Sequence, residues 1–280
     1  MSKKTAHRLI FVLGCLLLFF VCVLSVNFVL NFFSKDDTTH EKVETKTKKK
    51  STKKSSDLEK RIKAYQKKNP DLSKSEAEKR VKMNLDYEAY TYVTEVSDLD
   101  DTHLLVNKYH NLPSDYEPSD LVTVTNSGEN DAKMRKEAAA AFEELVNAAS
   151  SEGIELSACS AYRSYSYQKN LYENGVSNYG EEYADAYWTR PGFSEHQTGL
   201  SVDIRLDGDT SDLDAPRNSS NYPWLLKNMH KYGFIVRYPD DKEDYTLISP
   251  ESWHLRYVGK DLATYLYENN LCLEEYYATK

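Results

Sequence analysis

The stretch "LIFVLGCLLLFFVCVLSVNFVLNFF", residues 9–33, constrains this chain more than any other. It carries no charge over 25 residues, enough for a tilted helix to cross the ~30 Å hydrocarbon core of a bilayer. Lys3, Lys4 and Arg8 precede it and favour a cytoplasmic N-terminus. A cleaved signal peptide is the rival reading. The apolar run is longer than a usual signal core, however, and no small-x-small cleavage pattern follows it. "VLGC", ending at Cys15, faintly resembles a lipoprotein site, but the apolar stretch continues past it. The sequence therefore reads as a cytoplasmic tail (1–8), an uncleaved single-pass anchor in the cell membrane (9–33) and an extracellular body.

Charge divides the rest of the chain. Residues 34–84 carry 17 Lys and Arg against 9 Asp and Glu, whereas residues 85–280 carry 16 against 35. So acidic a body repels polyanions, which argues against a nucleic-acid partner. The basic run "KTKKKSTKKSS" belongs to a segment, 34–56, that reads as a solvated, disordered tether. Contact with anionic lipid or a wall polymer is its sharper alternative. Its lysines lie beyond the anchor and pull against the positive-inside bias. Cys15 and Cys22 lie in the apolar run as small hydrophobes. Cys159 and Cys272 belong to the body, where an extracellular setting would let them pair. With no C-x-x-C, a cysteine-ligated metal site is not suggested.

Residues 57–99 read as a helical stalk or docking segment, two polar helices broken at Asn69-Pro70. Residues 104–122 are extended and loop-rich, punctuated by Pro113 and Pro118, and the main domain is placed at 100–280. "DAKMRKEAAAAFEELVNAASSEG" (131–153) predicts a helix with Asp131 near its start and Gly153 as its stop. A strand at 154–163, a helix at 164–175 opened by Ser164, and a short strand "LSVDIRL" come after it. "YPWLLKNMHKYG" is a helix with Pro223 in its first turn, "FIVRY" and "SWHLRYVG" are strands, and "KDLATYLYENN" is a helix. This order lacks a βαβ rhythm. It predicts an α+β domain, a mainly antiparallel sheet flanked by helices.

Strand alternation brings out a chemical constellation. In "LSVDIRL", Leu200, Val202 and Ile204 share one face, leaving Ser201, Asp203 and Arg205 on the other. In "SWHLRYV", Trp253, Leu255 and Tyr257 share a face, which leaves His254 and Arg256 opposite. His196 precedes the first strand, and Thr198-Gly199 can turn the chain so that it swings back toward Asp203. Glu251 lies three residues before His254. Two histidines, a carboxylate and a nearby free glutamate form the donor set of a hydrolytic zinc site with an open position. Each residue also has an ordinary reading: a surface-loop His196, a capping or paired Asp203, a core His254. Spacing leaves both readings open. His7, His40, His103, His110 and His230 lack a comparable setting and read as structural.

"SAYRSYSYQ" (160–168), "SEHQTGLSVD" (194–203) and "ESWH" (251–254), in that order, resemble the zinc D-alanyl-D-alanine carboxypeptidases of the VanY type. These are bacterial peptidoglycan peptidases of the hedgehog/DD-peptidase fold, and the resemblance runs over roughly residues 57 to 280. It implies that His196, Asp203 and His254 bind one Zn2+, that Glu251 is the general base, and that Arg163 assists with substrate or transition-state charge. It also implies hydrolysis of the C-terminal D-alanine from peptidoglycan stem peptides, with D,D- or L,D-specificity left open. Gln168 and Ser194 are plausible hydrogen-bonding neighbours for the substrate carboxylate; alternatively Gln168 faces solvent and Ser194 caps its loop. Arg205 and Arg256 share faces with the ligands and are candidates to hold carboxylates behind them. Tyr187, Trp188 and Trp253 are candidates for cleft walls, with core packing as the ordinary reading. Two histidines and one carboxylate tolerate other divalent ions, so zinc rests on resemblance and geometry together. A wall-binding or regulatory module without turnover, and a cross-bridge endopeptidase, are the rival functions.

Overall fold

Residues 56–124 and 131–280 are described by the computed structural model. The expected anchor at 9–33 and the basic run after it lie outside the described residues. Among the described residues no helix is long and apolar enough to cross a membrane. Residues 56–68 form helix α1, and the chain divides into two units between Lys63 and Ala64. The break expected at Asn69-Pro70 is present. Helix α2 (Lys74–Lys82) starts at Ser73, whose hydroxyl accepts from the Glu76 N–H at 3.0 Å.

Within the second unit, β1 (Thr94–Glu95) pairs in parallel with β2 (His110–Asn111). Next, β3 (Leu121–Thr123) pairs antiparallel with β4 (Lys133–Arg135). This second pairing corrects the expected helix at 131–153. Residues 133–135 spend their backbone groups on β3, so α3 (Lys136–Ser151) begins later, without a side-chain cap. Its end is as expected: Gly153 holds φ +77° just beyond the last turn. Helix α3 buries Ala138, Phe142, Leu145 and Ala149 along one stripe of three- and four-residue steps.

Strand β5 (Leu156–Ser160) comes next, shorter than the expected 154–163. It is followed by α4 (Tyr165–Tyr179), capped by Ser164 as expected, and α5 (Glu181–Tyr187), which the sequence reading did not contain. Helix α4 continues four residues beyond the expected stop at Gly175. That glycine is there for packing: a Cβ on it would lie 2.7 Å from the Trp188 ring. Strand β6 (Ser201–Leu206), α6 (Tyr222–Asn228), β7 (Phe234–Tyr238) and the one-turn α7 (Glu243–Thr246) follow. Strand β8 (Glu251–Tyr257), α8 (Lys260–Asn269) and the unanticipated α9 (Leu273–Ala278) complete the chain.

The main sheet has the order β5-β6-β8-β7, and every neighbouring pair in it is antiparallel. One face carries Val202, Ile204 and Leu255 into the core beneath α3, where the Phe142 and Phe234 rings meet edge to face at 5.9 Å. A second apolar cluster joins Ile235 and Val258 to Leu262, Leu266 and Leu273 of α8 and α9. The fold is thus the expected α+β architecture. Cys159 lies in β5 and Cys272 just before α9; no disulfide joins them.

Candidate active site

The site is built on one rung of the sheet. Asp203 of β6 and His254 of β8 are direct cross-strand partners, so both side chains leave the sheet on the same face. His254 Nδ1 lies 3.4 Å from Asp203 Oδ1. His196 arrives from the buried 3-10 turn Glu195–Thr198 and places Nε2 3.3 Å from the same Asp203 oxygen. That turn is fixed from both sides. Thr198 Oγ1 accepts the Leu200 N–H at 3.0 Å, and Gly199 closes the turn at φ +67°. A Cβ on Gly199 would lie 2.8 Å from Leu121 Cδ2 and 3.3 Å from the Arg135 nitrogen, so both conformation and space demand glycine.

The protonation of His196 is set by its surroundings. Its Nδ1 donates to the Ala161 carbonyl at 2.6 Å, which leaves Nε2 as the lone-pair nitrogen. Burial, together with the nearby Arg163 cation, brings its pKa down to about 4. Burial also works against ionisation of Asp203, but His196, Arg163 and His254 outweigh it and hold the carboxyl well below the usual range. The neutral His196 ring, the Asp203 carboxylate and the His254 ring therefore converge, with ligand atoms within 4.8 Å of one another. His196 Nε2 and Asp203 Oδ1 are buried without a hydrogen-bond partner. Buried lone pairs that face one another without a shared proton call for a cation, and an N2O donor set suits zinc.

Glu251, at the start of β8, places Oε2 3.2 Å from His254 Nδ1. Its carboxyl is pushed above the usual carboxylate range, by burial against the partial offset of His254. Arg163 leaves the end of β5 at the opposite side, with its guanidinium 3.6 Å from Asp203 Oδ2 and its backbone N–H donating to the His196 carbonyl at 3.2 Å. A narrow cavity of about 30 Å³ opens onto His196, Glu251 and His254, and Arg163, Gln168 and Ser194 also line it. All seven candidate residues thus meet in one place.

Other expectations divide. Gln168 is buried, with Nε2 donating to the Thr189 carbonyl at 2.8 Å while Oε1 has no partner. Tyr187 and Trp188 wall the cavity, whereas the half-buried Trp253 does not line it. Arg205 donates to the Asp209 carbonyl at 3.4 Å, away from the ligands. Arg256 does hold a carboxylate, that of Glu195, at 2.6 Å. Sequence reasoning missed the rest of this assembly. Arg237 of β7 donates through Nε to Glu195 Oε1 at 2.8 Å and makes two further bonds to Glu274 of α9. The side chains of Arg237, Arg256 and Glu195 are completely buried. Burial opposes the ionisation of Glu195, and the two guanidiniums outweigh it, holding the carboxyl below its ordinary value. The one readable signal was an arginine inside the apolar strand "FIVRY".

The sequence profile of the VanY family, described as D-alanyl-D-alanine carboxypeptidase, matches residues 131–260. The Bacillus subtilis protein YodJ is 46% identical over 179 residues, which make up 62% of this chain and 66% of YodJ, just under two thirds of its length. The solved LD-carboxypeptidase LdcB superposes with a TM-score of 0.62 at 44% identity, over 66% of this chain and 89% of that one. A Zn(II) complex of a mutant of the vancomycin-resistance D,D-pentapeptidase VanY superposes with a TM-score of 0.55 at 34% identity, over 62% of this chain and 98% of that one. With such identity across nearly the whole of two solved relatives, this chain belongs to the VanY family of D-alanyl-D-alanine carboxypeptidases.

Proposed function

We propose that the protein is a zinc carboxypeptidase that removes the C-terminal D-alanine from peptidoglycan stem peptides. The observation that carries this reading is the buried, partnerless set of His196 Nε2 and Asp203 Oδ1 beside His254 Nδ1, with Glu251 and Arg163 at its edge. His196, Asp203 and His254 would hold the metal, which when bound supplies Lewis acidity and a water acidic enough to ionise near neutral pH. Glu251 accepts a proton from the attacking water and returns it to the leaving amine. Its raised carboxyl, next to a histidine and largely buried at the edge of the cavity, suits a group that must both take and give a proton. Arg163 brings the cation for the developing oxyanion or for the terminal carboxylate of the substrate. Ser194 and Gln168 bind beside it. Because the Gln168 amide nitrogen is committed to Thr189, its free Oε1 is suited to accept from a substrate N–H rather than to donate to the carboxylate.

The test is mass spectrometry of products from defined muropeptides incubated with the zinc-loaded full chain. Release of single D-alanine supports the reading, and the choice between pentapeptide and tetrapeptide stems assigns D,D- or L,D-specificity. Products cut within the cross-bridge would make it an endopeptidase. Zinc uptake with no cleavage at all would favour a non-catalytic wall-binding or regulatory module.

The proposal extends to the arrangement along the chain. Residues 1–8 are cytoplasmic, 9–33 anchor the protein, 34–56 tether it, 57–99 form a stalk or docking segment and 100–280 are the peptidase domain facing the wall. The basic tether meets anionic lipid or wall polymer. Protease added to intact spheroplasts should remove the domain and leave the tail protected; full protection would reverse the topology.

A further inference from the structure

The carboxylate of Glu195 sits where no substrate reaches it, yet one of its oxygens is barely used. Oε1 accepts from Arg237 Nε (2.8 Å) and from Arg256 (2.6 Å). Oε2 has only Ser201 Oγ at 3.5 Å, and it lies 4.0 Å from His254 Nε2. That ring nitrogen is itself buried and without a hydrogen-bond partner.

The metal reading makes this juxtaposition consequential. His254 turns Nδ1 toward Asp203 and Glu251, at 3.4 and 3.2 Å. A nitrogen that binds metal carries no hydrogen, so the neutral ring then has its single N–H at Nε2. In a buried setting that N–H needs an acceptor. We propose that Glu195 is a positioning residue: its Oε2, 4.0 Å from His254 Nε2, is the acceptor on which the Nε2–H closes when the ring binds metal, and it so fixes this ring with Nδ1 presented to the metal. The alternative tautomer places the hydrogen on Nδ1, where it bonds to Glu251 and occupies the oxygen that must take a proton in the reaction. Glu195 thus favours the tautomer that serves the metal and leaves the base free.

The surrounding charges fit this role. Glu195 and Glu274 face Arg237 and Arg256 in a cluster that is wholly buried, and apolar side chains of similar volume commonly stabilise such a position as well or better. The two arginines grip Glu195 through Oε1 and hold the other oxygen on the histidine side. Carboxylates behind metal-bound histidines act in this way generally, and their loss weakens metal affinity about 10–100-fold.

This inference rests on the metal site proposed above, and its test separates the two. Full-length protein labelled with 15N at histidine is loaded with Zn2+ and its ring N–H signals are recorded. The wild type should show two slowly exchanging ring N–H protons at this site: Nδ1–H of His196, bonded to Ala161, and Nε2–H of His254. In Glu195→Gln the His254 signal should move upfield or exchange rapidly while that of His196 persists. Zinc affinity against a competing chelator should fall about 10–100-fold, and kcat should fall more than KM rises. Glu274→Gln serves as the structural control: it removes a charge from the same cluster and should leave both signals and the zinc affinity in place.

If Glu195→Gln does not fold, the wild-type spectrum decides alone, since a rapidly exchanging His254 Nε2–H overturns the proposal. So does an unchanged spectrum and affinity in Glu195→Gln, or an equal loss in Glu274→Gln. Wild-type protein that takes up no zinc overturns the metal reading and this inference with it.

Discussion

Single atoms separate metal binding from chemistry at this site. Glu251 touches His254 without belonging to the three-residue donor set. Glu251→Gln should therefore retain stoichiometric zinc, as read by elemental analysis, and lose about 10²–10⁴-fold in kcat/KM, the usual worth of a positioned base. Loss of zinc together with activity would instead place Glu251 among the ligands. Gly199→Ala is harsher than its size suggests. It sets a Cβ against Leu121 and the Arg135 backbone at a positive φ, strain worth about 1–3 kcal/mol. The turn that carries His196 must shift, so we expect a lower melting temperature and weaker zinc binding in one variant. The reach of sequence reasoning is visible at this scale too. The ligands were legible because each sits in a recognisable motif on or beside an alternating strand. Glu195 and Arg237 were not, because their bond spans 42 positions and nothing local pairs them.

Among the elements, agreement was best where alternation and caps coincide. Strand "FIVRY" and helix α8 fall where the pattern places them, and the last strand starts one residue before "SWHLRYVG". The expected helix at 131–153 failed at its front end because β3, ten residues away in sequence, competes for the backbone of 133–135. Periodicity cannot register that competition. Helices α5 and α9 are short and are preceded by Gly180 and Cys272, not by the Ser, Thr, Asp or Asn that would foretell them. Yet α5 supplies one wall of the cavity and α9 supplies Glu274. The helix expected at 164–175 runs on through Gly175, a residue whose contact is with Trp188 and not with its own helix. Gly175→Ala raises helix propensity by up to about 1 kcal/mol but drives a methyl into the indole. We expect a displaced Trp188, measurable by its fluorescence, and a raised KM with little change in zinc content. Phe142→Ala, which removes the ring packed on Phe234, should cost about 3–5 kcal/mol in chemical denaturation and leave the site chemistry unaltered in the protein that remains folded.

For the whole molecule, acid and chelation should act separately. Burial lowers His110 from its ordinary 6.5, so the unfolded chain takes up its proton first and stability falls as pH drops below that value. Asp185 and Glu275 are partly desolvated, but Arg190 and Tyr172 on one, and Lys242, the Cys272 N–H and Lys79 on the other, outweigh this and hold both below 3.8 and 4.5. Their contribution is complete above those values and disappears as pH falls through the lower folded ones. Melting temperature of the chelated protein should therefore decline gently below about pH 6.5 and steeply below about pH 4.5. At neutral pH, zinc at about 100 times its dissociation constant should add about 2.7 kcal/mol, a rise of several degrees that a chelator reverses.

The Asp203–His254 rung has a consequence for folding. These strands are far apart in the chain, and a slip of either strand by one residue would send its ligand into the apolar layer and bring Val202 or Leu255 out in its place. No partly zipped sheet can hold the ion tightly. Uptake of zinc during refolding should accordingly be the last event to complete, and a zinc-sensitive dye would time the closing of the sheet in the native protein without any engineered probe.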